Sequence, residues 1–180
     1  MTDFAAARRH MVDGQVRTAD VTDLRIISAM LEVPRERYVP PRAEGLAYLD
    51  LGMGLAAAGA AARSLLKPMV LAKLIQAADI PPDGRVLAVG CATGYSAAVL
   101  ARIAGQVVAL EQDDSLATGA QAALAGLPNV TFVKGALADG WPKAAPYDAI
   151  LIDGAIEFVP PALSAQLKEG GRLVAVLGGG

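Results

Sequence analysis

The sequence predicts an α/β fold, a doubly wound parallel sheet preceded by N-terminal helices, and three observations carry that prediction. Between Val86 and Tyr95 (VLAVGCATGY) an apolar run of strand character breaks at Gly90, passes through small residues and resumes in a helical pattern. From Arg85 onward, short apolar runs alternate with amphipathic segments, the signature of repeated strand–helix units. The runs Val107-Val108-Ala109-Leu110 and Ala149-Ile150-Leu151-Ile152 are apolar without alternation, as strands buried on both faces of a parallel sheet must be.

Taken in order, Phe4 to Val16 and Leu24 to Glu32 read as two helices separated by a polar turn, with Thr22 as N-cap of the second. Ile26, Ile27, Met30 and Leu31 give that helix an apolar stripe, and Pro34 forces Val33 out of the helical region and ends it. Tyr38-Val39-Pro40-Pro41 reads as an extended connector, and Leu51 to Ala62 as a mobile loop or an alanine helix interrupted by Gly59. Pro68 suits the first turn of a helix reaching about Asp79, and Pro81-Pro82-Asp83-Gly84 turns the chain into the key strand. Strands are expected at about 85–89, 106–111, 129–134, 147–153 and 171–177, and helices at about 94–104, 114–125 and 160–168. The division that follows is an N-terminal helical and loop region, 1–67, packing on a core formed by 68–180.

With 180 residues the chain can bury a substantial core. A formal charge of −2 and a pI near 5.4 give no electrostatic reason to expect nucleic acid or an anionic membrane as partner. Mean hydropathy is positive, +0.41, but the longest uncharged run is too short and too rich in Ala and Gly to span a bilayer. The polar N-terminal segment has no signal-peptide pattern, so the expectation is a cytoplasmic protein. Cys91 is the only cysteine, which excludes an intrachain disulfide and reads as a small packing residue before it reads as a nucleophile. The lone histidine, His10, has no second ligand at metal-binding spacing, and no metal is expected.

The glycine turn decides between ligands. A dinucleotide fingerprint requires G-x-G-x-x-G, whereas the positions here are Gly90, Ala92 and Tyr95. A G-x-G-x-G spacing is met at Gly90 and Gly94, with Ala92 the smallest replacement between them, and backbone N–H groups at such a turn are expected to point outward to the ligand. Glu111 closes the second strand, where a carboxylate accepts from both ribose hydroxyls or is simply a solvated strand end. Together these features favour S-adenosylmethionine over a dinucleotide.

Motifs elsewhere resemble one family. Met11 to Asp23 (MVDGQVRTADVTD), Val33-Pro34-Arg35-Glu36-Arg37-Tyr38-Val39-Pro40, Lys67-Pro68-Met69-Val70, Gly140-Trp141-Pro142, Pro146-Tyr147-Asp148-Ala149-Ile150 and Gln166 to Val174 (QLKEGGRLV) are similar to motifs of the protein-L-isoaspartate (D-aspartate) O-methyltransferases. The resemblance covers about Met11 to Gly178 and implies a Rossmann-like class I methyltransferase that transfers a methyl group from S-adenosylmethionine to the carboxylate of isoaspartyl residues in proteins or peptides, in protein repair. By position it implies Gly90, Cys91, Ala92, Gly94 and Tyr95 around the methionine part of the cofactor, Glu111 on the ribose, and Gln112, Ala136 and Leu137 near the adenine.

Against the family's pattern, Ala88 stands where an acidic residue holds the methionine part, and Gly135-Ala136-Leu137 replaces a turn that supplies an aspartate to the adenine. Aligned on Pro68, Leu66 takes the place of a serine at the acceptor end, and Ser64 is the hydroxyl that remains, as a catalytic group or as a loop serine. Asp153 ends the fourth strand at the ligand-binding edge, either orienting or deprotonating an acceptor, or acting as a cap or solvated strand end. These departures leave two alternatives standing, a binding protein that keeps the fold without catalysis and a methyltransferase for a different acceptor. The family adds strands after the fifth, so the expectation here is a sheet lacking them, with Leu173 to Leu177 as an edge able to pair two copies into a homodimer.

Overall fold

A computed structural model describes residues 3–55 and 63–178. Helix α1, Phe4–Met11, is capped by Asp3, whose carboxylate accepts from Ala6 N at 2.9 Å. The expected helix to Val16 does not run as one: Val12–Val16 winds as a π-turn and Arg17–Ala19 as a 3-10 turn, closed by Asp20 at φ +61°. In α2, Leu24–Glu32, the N-cap is Asp23 and not Thr22. The Asp23 carboxylate reaches Arg25 N at 2.8 Å, while the Gln76 side chain accepts from both Thr22 N and Asp23 N at 2.7 and 3.2 Å. Nor is the connector Tyr38-Val39-Pro40-Pro41 extended: Tyr38 has φ −112° and ψ +1°, Ala43 N donates back to Pro40 O at 3.0 Å, and the Tyr38 ring packs on Tyr95 with centroids 5.6 Å apart.

Strand β1, Met53–Leu55, pairs antiparallel with β2, Arg63–Leu65, in the register Met53↔Leu65 and Leu55↔Arg63. The stretch expected to be a loop or alanine helix thus includes strand at 53–55, and its remainder at 56–62 lies outside the described residues. Helix α3, Pro68–Ala78, leads into β3, Arg85–Val89. After it come α4 (Tyr95–Leu100), β4 (Gln106–Glu111), α5 (Asp114–Leu124), β5 (Val130–Lys134), β6 (Tyr147–Ile156), α6 (Pro161–Ser164) and β7 (Leu167–Leu177).

Strands β3 to β7 form one parallel sheet in the order β5-β4-β3-β6-β7. The chain builds outward from β3 in one direction and then returns to its other side as β6. The crevice above the carboxyl ends of β3 and β6 is the topological switch point at which such folds bind ligands. One face of the sheet packs on α1 to α4 through Met30, Leu71, Ile75, Val86, Val99 and Leu151 in a single apolar cluster, and the other face holds Leu87, Ile150, Tyr147 and Leu163.

Helix α4 ends at Leu100, short of the expected 104, and two further boundaries differ from the sequence reading for identifiable reasons. The last helix is one turn long because Gln166 O already accepts from Tyr147 N at 2.8 Å, so the chain is committed to the sheet from Leu167. Strand β6 passes beyond Asp153 because pairing with β7 slips, from Leu151↔Val174 to Ala155↔Val176. Three residues of β6 thereby face one of β7, a bulge centred on Asp153.

The Gln166 side chain also joins two distant motifs. Its Oε1 accepts from Trp141 N at 2.8 Å, and its Nε2 donates to Asp139 O and Ala162 O at 2.8 and 2.9 Å. A Cβ at Gly140 (φ +63°) would lie 2.7 Å from that amide, so the turn before Trp141 accommodates only glycine. Gln166→Leu is expected to lower stability by about 2–3 kcal/mol, since one partly buried N–H and two carbonyls lose their partner. Urea unfolding monitored through Trp141 fluorescence measures it.

Candidate functional site

The glycine turn takes its shape from three residues in the left-handed region, Gly90 (φ +74°), Ala92 (φ +52°) and Gly94 (φ +97°). Its amides do not point outward as expected. Gly90 N and Cys91 N both donate to Leu110 O at 2.9 and 3.1 Å, Ala92 N donates to Glu111 Oε2 at 2.8 Å, and Gly94 N donates to Cys91 O at 2.7 Å. The turn is stitched to the end of β4, which fixes Glu111 against it.

Of the five turn residues singled out in the sequence, Gly90 lines the cavity described below, while Cys91, Ala92, Gly94 and Tyr95 are buried. A Cβ on Gly94 would meet Leu124 of α5 at 3.1 Å, so this glycine permits close helix packing. Burial pushes the Cys91 thiol up, away from thiolate chemistry.

Glu111 is fully buried and its carboxylate is saturated. Oε1 accepts from Gln112 N (2.9 Å), Asp113 N (3.0 Å) and Arg63 Nη1 (3.1 Å), and Oε2 accepts from Ala92 N (2.8 Å) and Arg63 Nη2 (2.9 Å). Arg63 Nη2 also donates to Gly90 O at 2.9 Å. Sequence reading missed this arginine. Its only signal was a cation directly after a run of alanines, and strands of three residues are too short to announce the hairpin that brings it over the turn.

A cavity of about 610 Å³ opens above these groups. Arg63, Ser64, Gly90, Gln112, Leu137 and Asp153 all line it. Gln112 borders a neighbouring depression as well, together with Ala136, and its Oε1 accepts from Leu137 N at 3.3 Å. The structure therefore brings Ser64 and Asp153 into one cavity with Gly90, Gln112 and Leu137, places Ala136 beside it, and sets the Glu111 carboxylate beneath Arg63.

Asp153 is 7% exposed, and its carboxyl is pushed up to about 6. Burial is the main cause; the Ser96 hydroxyl and the charges on Arg35 and Arg63 draw it back down, and the Glu111 charge adds to the rise. The cap and solvated-end readings of Asp153 do not hold, because the bulge turns it inward. Arg35, itself 1% exposed, donates from Nε to Ala47 O (2.8 Å) and from Nη2 to Leu66 O (2.9 Å), and its guanidinium lies 4.6 Å from the centroid of the Tyr95 ring. It anchors the strand that carries Arg63 and Ser64.

Residues 6–179 match the model of the protein-L-isoaspartate(D-aspartate) O-methyltransferase family. This chain belongs to that family. It is 40% identical over 183 residues to protein-L-isoaspartate O-methyltransferase 1 of Rhodopseudomonas palustris, covering 98% of this chain and 71% of that one. To the protein-L-isoaspartate O-methyltransferase of Methylorubrum extorquens it is 41% identical, covering 98% of this chain and 76% of the relative. A solved protein-L-isoaspartate O-methyltransferase superposes with a TM-score of 0.82 at 29% identity, over 92% of this chain and 54% of that one, so the chain spans about half of that structure. A Plasmodium falciparum structure in complex with S-adenosyl-L-homocysteine shares the fold, with a TM-score of 0.73 at 17% identity over 96% of this chain and 83% of that one.

The protein-L-isoaspartate O-methyltransferase family uses S-adenosylmethionine and acts on isoaspartyl proteins. The donor pattern at Glu111 fits that cofactor: Arg63 presents two parallel N–H groups to the two carboxylate oxygens, as a ribose diol presents two O–H groups. Among the described residues no helix is long and apolar enough to cross a membrane, and no cluster of His, Cys, Asp and Glu could hold a metal ion.

Proposed function

We propose that this chain methylates the isoaspartyl carboxylate with the residue roles that follow. Glu111 holds the ribose, Gly90 faces the methionine side with the turn behind it (Cys91, Ala92, Gly94, Tyr95) setting its shape, and Gln112, Ala136 and Leu137 border the adenine. Ser64 and Asp153 stand at the acceptor end. The observation that carries this reading is that one continuous cavity runs from Gly90 and Gln112 to Ser64 and Asp153 across the switch point of the sheet.

When bound, S-adenosylmethionine supplies a methyl group on a sulfonium, open to in-line attack by an oxygen nucleophile. A carboxylate acceptor needs no general base, so the work of the protein is to position it. Ser64 can donate its hydroxyl to one acceptor oxygen, leaving the other free for the methyl. Leu137, Ile152 and Leu163 give the cavity apolar walls that limit water beside the reacting atoms.

Labelled methyl transfer to an isoaspartyl peptide beside its aspartyl counterpart tests the assignment. Turnover is expected with the isoaspartyl peptide alone, and Ser64→Ala should lower kcat/KM by about tenfold, the worth of one hydrogen bond. Methylation of neither peptide by protein that binds the cofactor in calorimetry would overturn it. A second reading is favoured by Asp153, whose ionised form would repel a carboxylate and suits an acceptor bearing an N–H or O–H donor. That reading predicts turnover on such an acceptor and none on the isoaspartyl peptide.

Two further assignments belong to this proposal. The setting is cytoplasmic, in keeping with Cys91 as a buried free thiol. A second copy pairs through β7, which is an edge strand among the described residues and carries Leu177 at 72% exposure. Light scattering that returns a monomer mass would remove the pairing.

A further inference from the structure

Arg63 sits where the proposed ribose contact must form. Its guanidinium takes one acceptor position on each Glu111 oxygen at 3.1 and 2.9 Å, and it also holds the carbonyl of Gly90 at 2.9 Å. The other positions on Glu111 belong to backbone N–H groups, Ala92 of the glycine turn and Gln112 and Asp113 of the connection from β4 to α5, which cannot leave without unmaking those segments. Among the described residues, the only partner that Glu111 can exchange is therefore Arg63. The Arg63 side chain keeps 18% of its surface exposed, against none for Glu111, so it occupies the mouth of the pair. It also projects from the same short strand as Ser64, into the same cavity. Asp153 and Glu157 line that cavity and offer carboxylates to a guanidinium that has turned away.

We propose that Arg63 sets the cofactor affinity of this chain: it satisfies Glu111 in the place of the ribose diol, and a nucleoside enters by exchanging with it. The inference rests on Glu111 being the ribose contact. The ligand-free protein keeps its buried carboxylate neutralised by its own cation, and the intrinsic affinity for a nucleoside is reduced by the fraction of molecules in which Arg63 still holds Glu111. Glu111 is buried and Arg63 nearly so, so salt screens the competing pair only weakly.

The experiment is calorimetric titration of wild type, Arg63→Gln and Arg63→Lys with adenosine and with S-adenosylhomocysteine, at low and high salt. Melting of the ligand-free proteins, followed by circular dichroism, confirms that each variant folds. Arg63→Gln should bind both ligands about tenfold more tightly than wild type, and Arg63→Lys, with one contact in place of two, should fall between them. Affinity should change little with salt in wild type and in Arg63→Gln, because the pair to be broken is buried from the ions. The ligand-free melting temperature of Arg63→Gln should fall, because Glu111 loses its counter-ion.

Weaker binding of S-adenosylhomocysteine by Arg63→Gln with adenosine unchanged would overturn the proposal and make Arg63 the counter-ion of the ligand's carboxylate. Equal affinities for both ligands in all three proteins would overturn it by making Arg63 a bystander. Failure of wild type and Arg63→Gln alike to bind either ligand at millimolar concentration would overturn the ribose assignment itself, an outcome distinct from the other two.

Discussion

Glu111→Ala is expected to abolish detectable binding of S-adenosylmethionine and to lower the stability of the ligand-free protein by about 3–5 kcal/mol. The second effect follows from what the carboxylate does before any ligand arrives. It is the common partner of a guanidinium and three backbone N–H groups, from Ala92, Gln112 and Asp113. Removing one member of a buried pair leaves the other charge and its dependent donors uncompensated. Glu111→Gln should be milder, since one carbonyl oxygen persists, but its NH2 would face the Arg63 guanidinium donor to donor. Urea unfolding gives the stability change and calorimetry the binding, and an Ala variant of near wild-type stability would show that the turn does not depend on this carboxylate.

Asp153→Asn is the second large effect, and its sign depends on pH. In the unfolded chain the carboxyl ionises near 3.8, and in the folded protein near 6. Below pH 3.8 it is protonated in both states and costs nothing. Between 3.8 and about 6 the unfolded chain releases the proton while the folded protein still holds it, so stability falls as pH rises through that window. Above about 6 the penalty is constant, at about 3 kcal/mol for a displacement of this size. Asn carries no such penalty. The variant should therefore be more stable than wild type at pH 8 by up to about 3 kcal/mol, with the advantage vanishing near pH 3.5. Denaturant titrations at several pH values measure this, and a difference independent of pH would show that Asp153 ionises normally. The same titration bears on catalysis: methylation of a carboxylate acceptor by wild type should decline as pH rises through about 6, and that decline should be absent from Asp153→Asn.

The two arms of the site were unequally legible in the sequence. The parallel sheet announced itself because β3, β4 and β6 are buried on both faces and can tolerate only apolar residues, so their runs stand out. Glu111 was legible for the same reason, as a carboxylate breaking such a run beside a glycine turn. Boundaries were less so wherever a side chain, and not periodicity, decides them. Asp23 and not Thr22 caps the helix at a chain entry held by Gln76, more than fifty residues away, which accepts from both Thr22 N and Asp23 N. The inward bulge at Asp153 comes from a register slip against β7, which no local pattern encodes. Arg63 was invisible because its role is defined by Glu111, 48 positions further along, through a hairpin with three residues on each side. The direction of the turn amides was misread for a related reason. Such amides suit an anion when they are free, but here the end of β4 arrives close enough to consume them.

The clasp made by Arg35 gives the first third of the chain a mechanical part in the site. The carbonyls of Ala47 and Leu66 hang from one guanidinium, so the segment before β1 and the linker after β2 are carried on a shared pivot inside the core. The wall that holds Arg63 and Ser64 is consequently suspended from residues contributed before the sheet begins, and grafting the sheet alone onto another scaffold would transfer the floor of the cavity and leave that wall without its hinge pin.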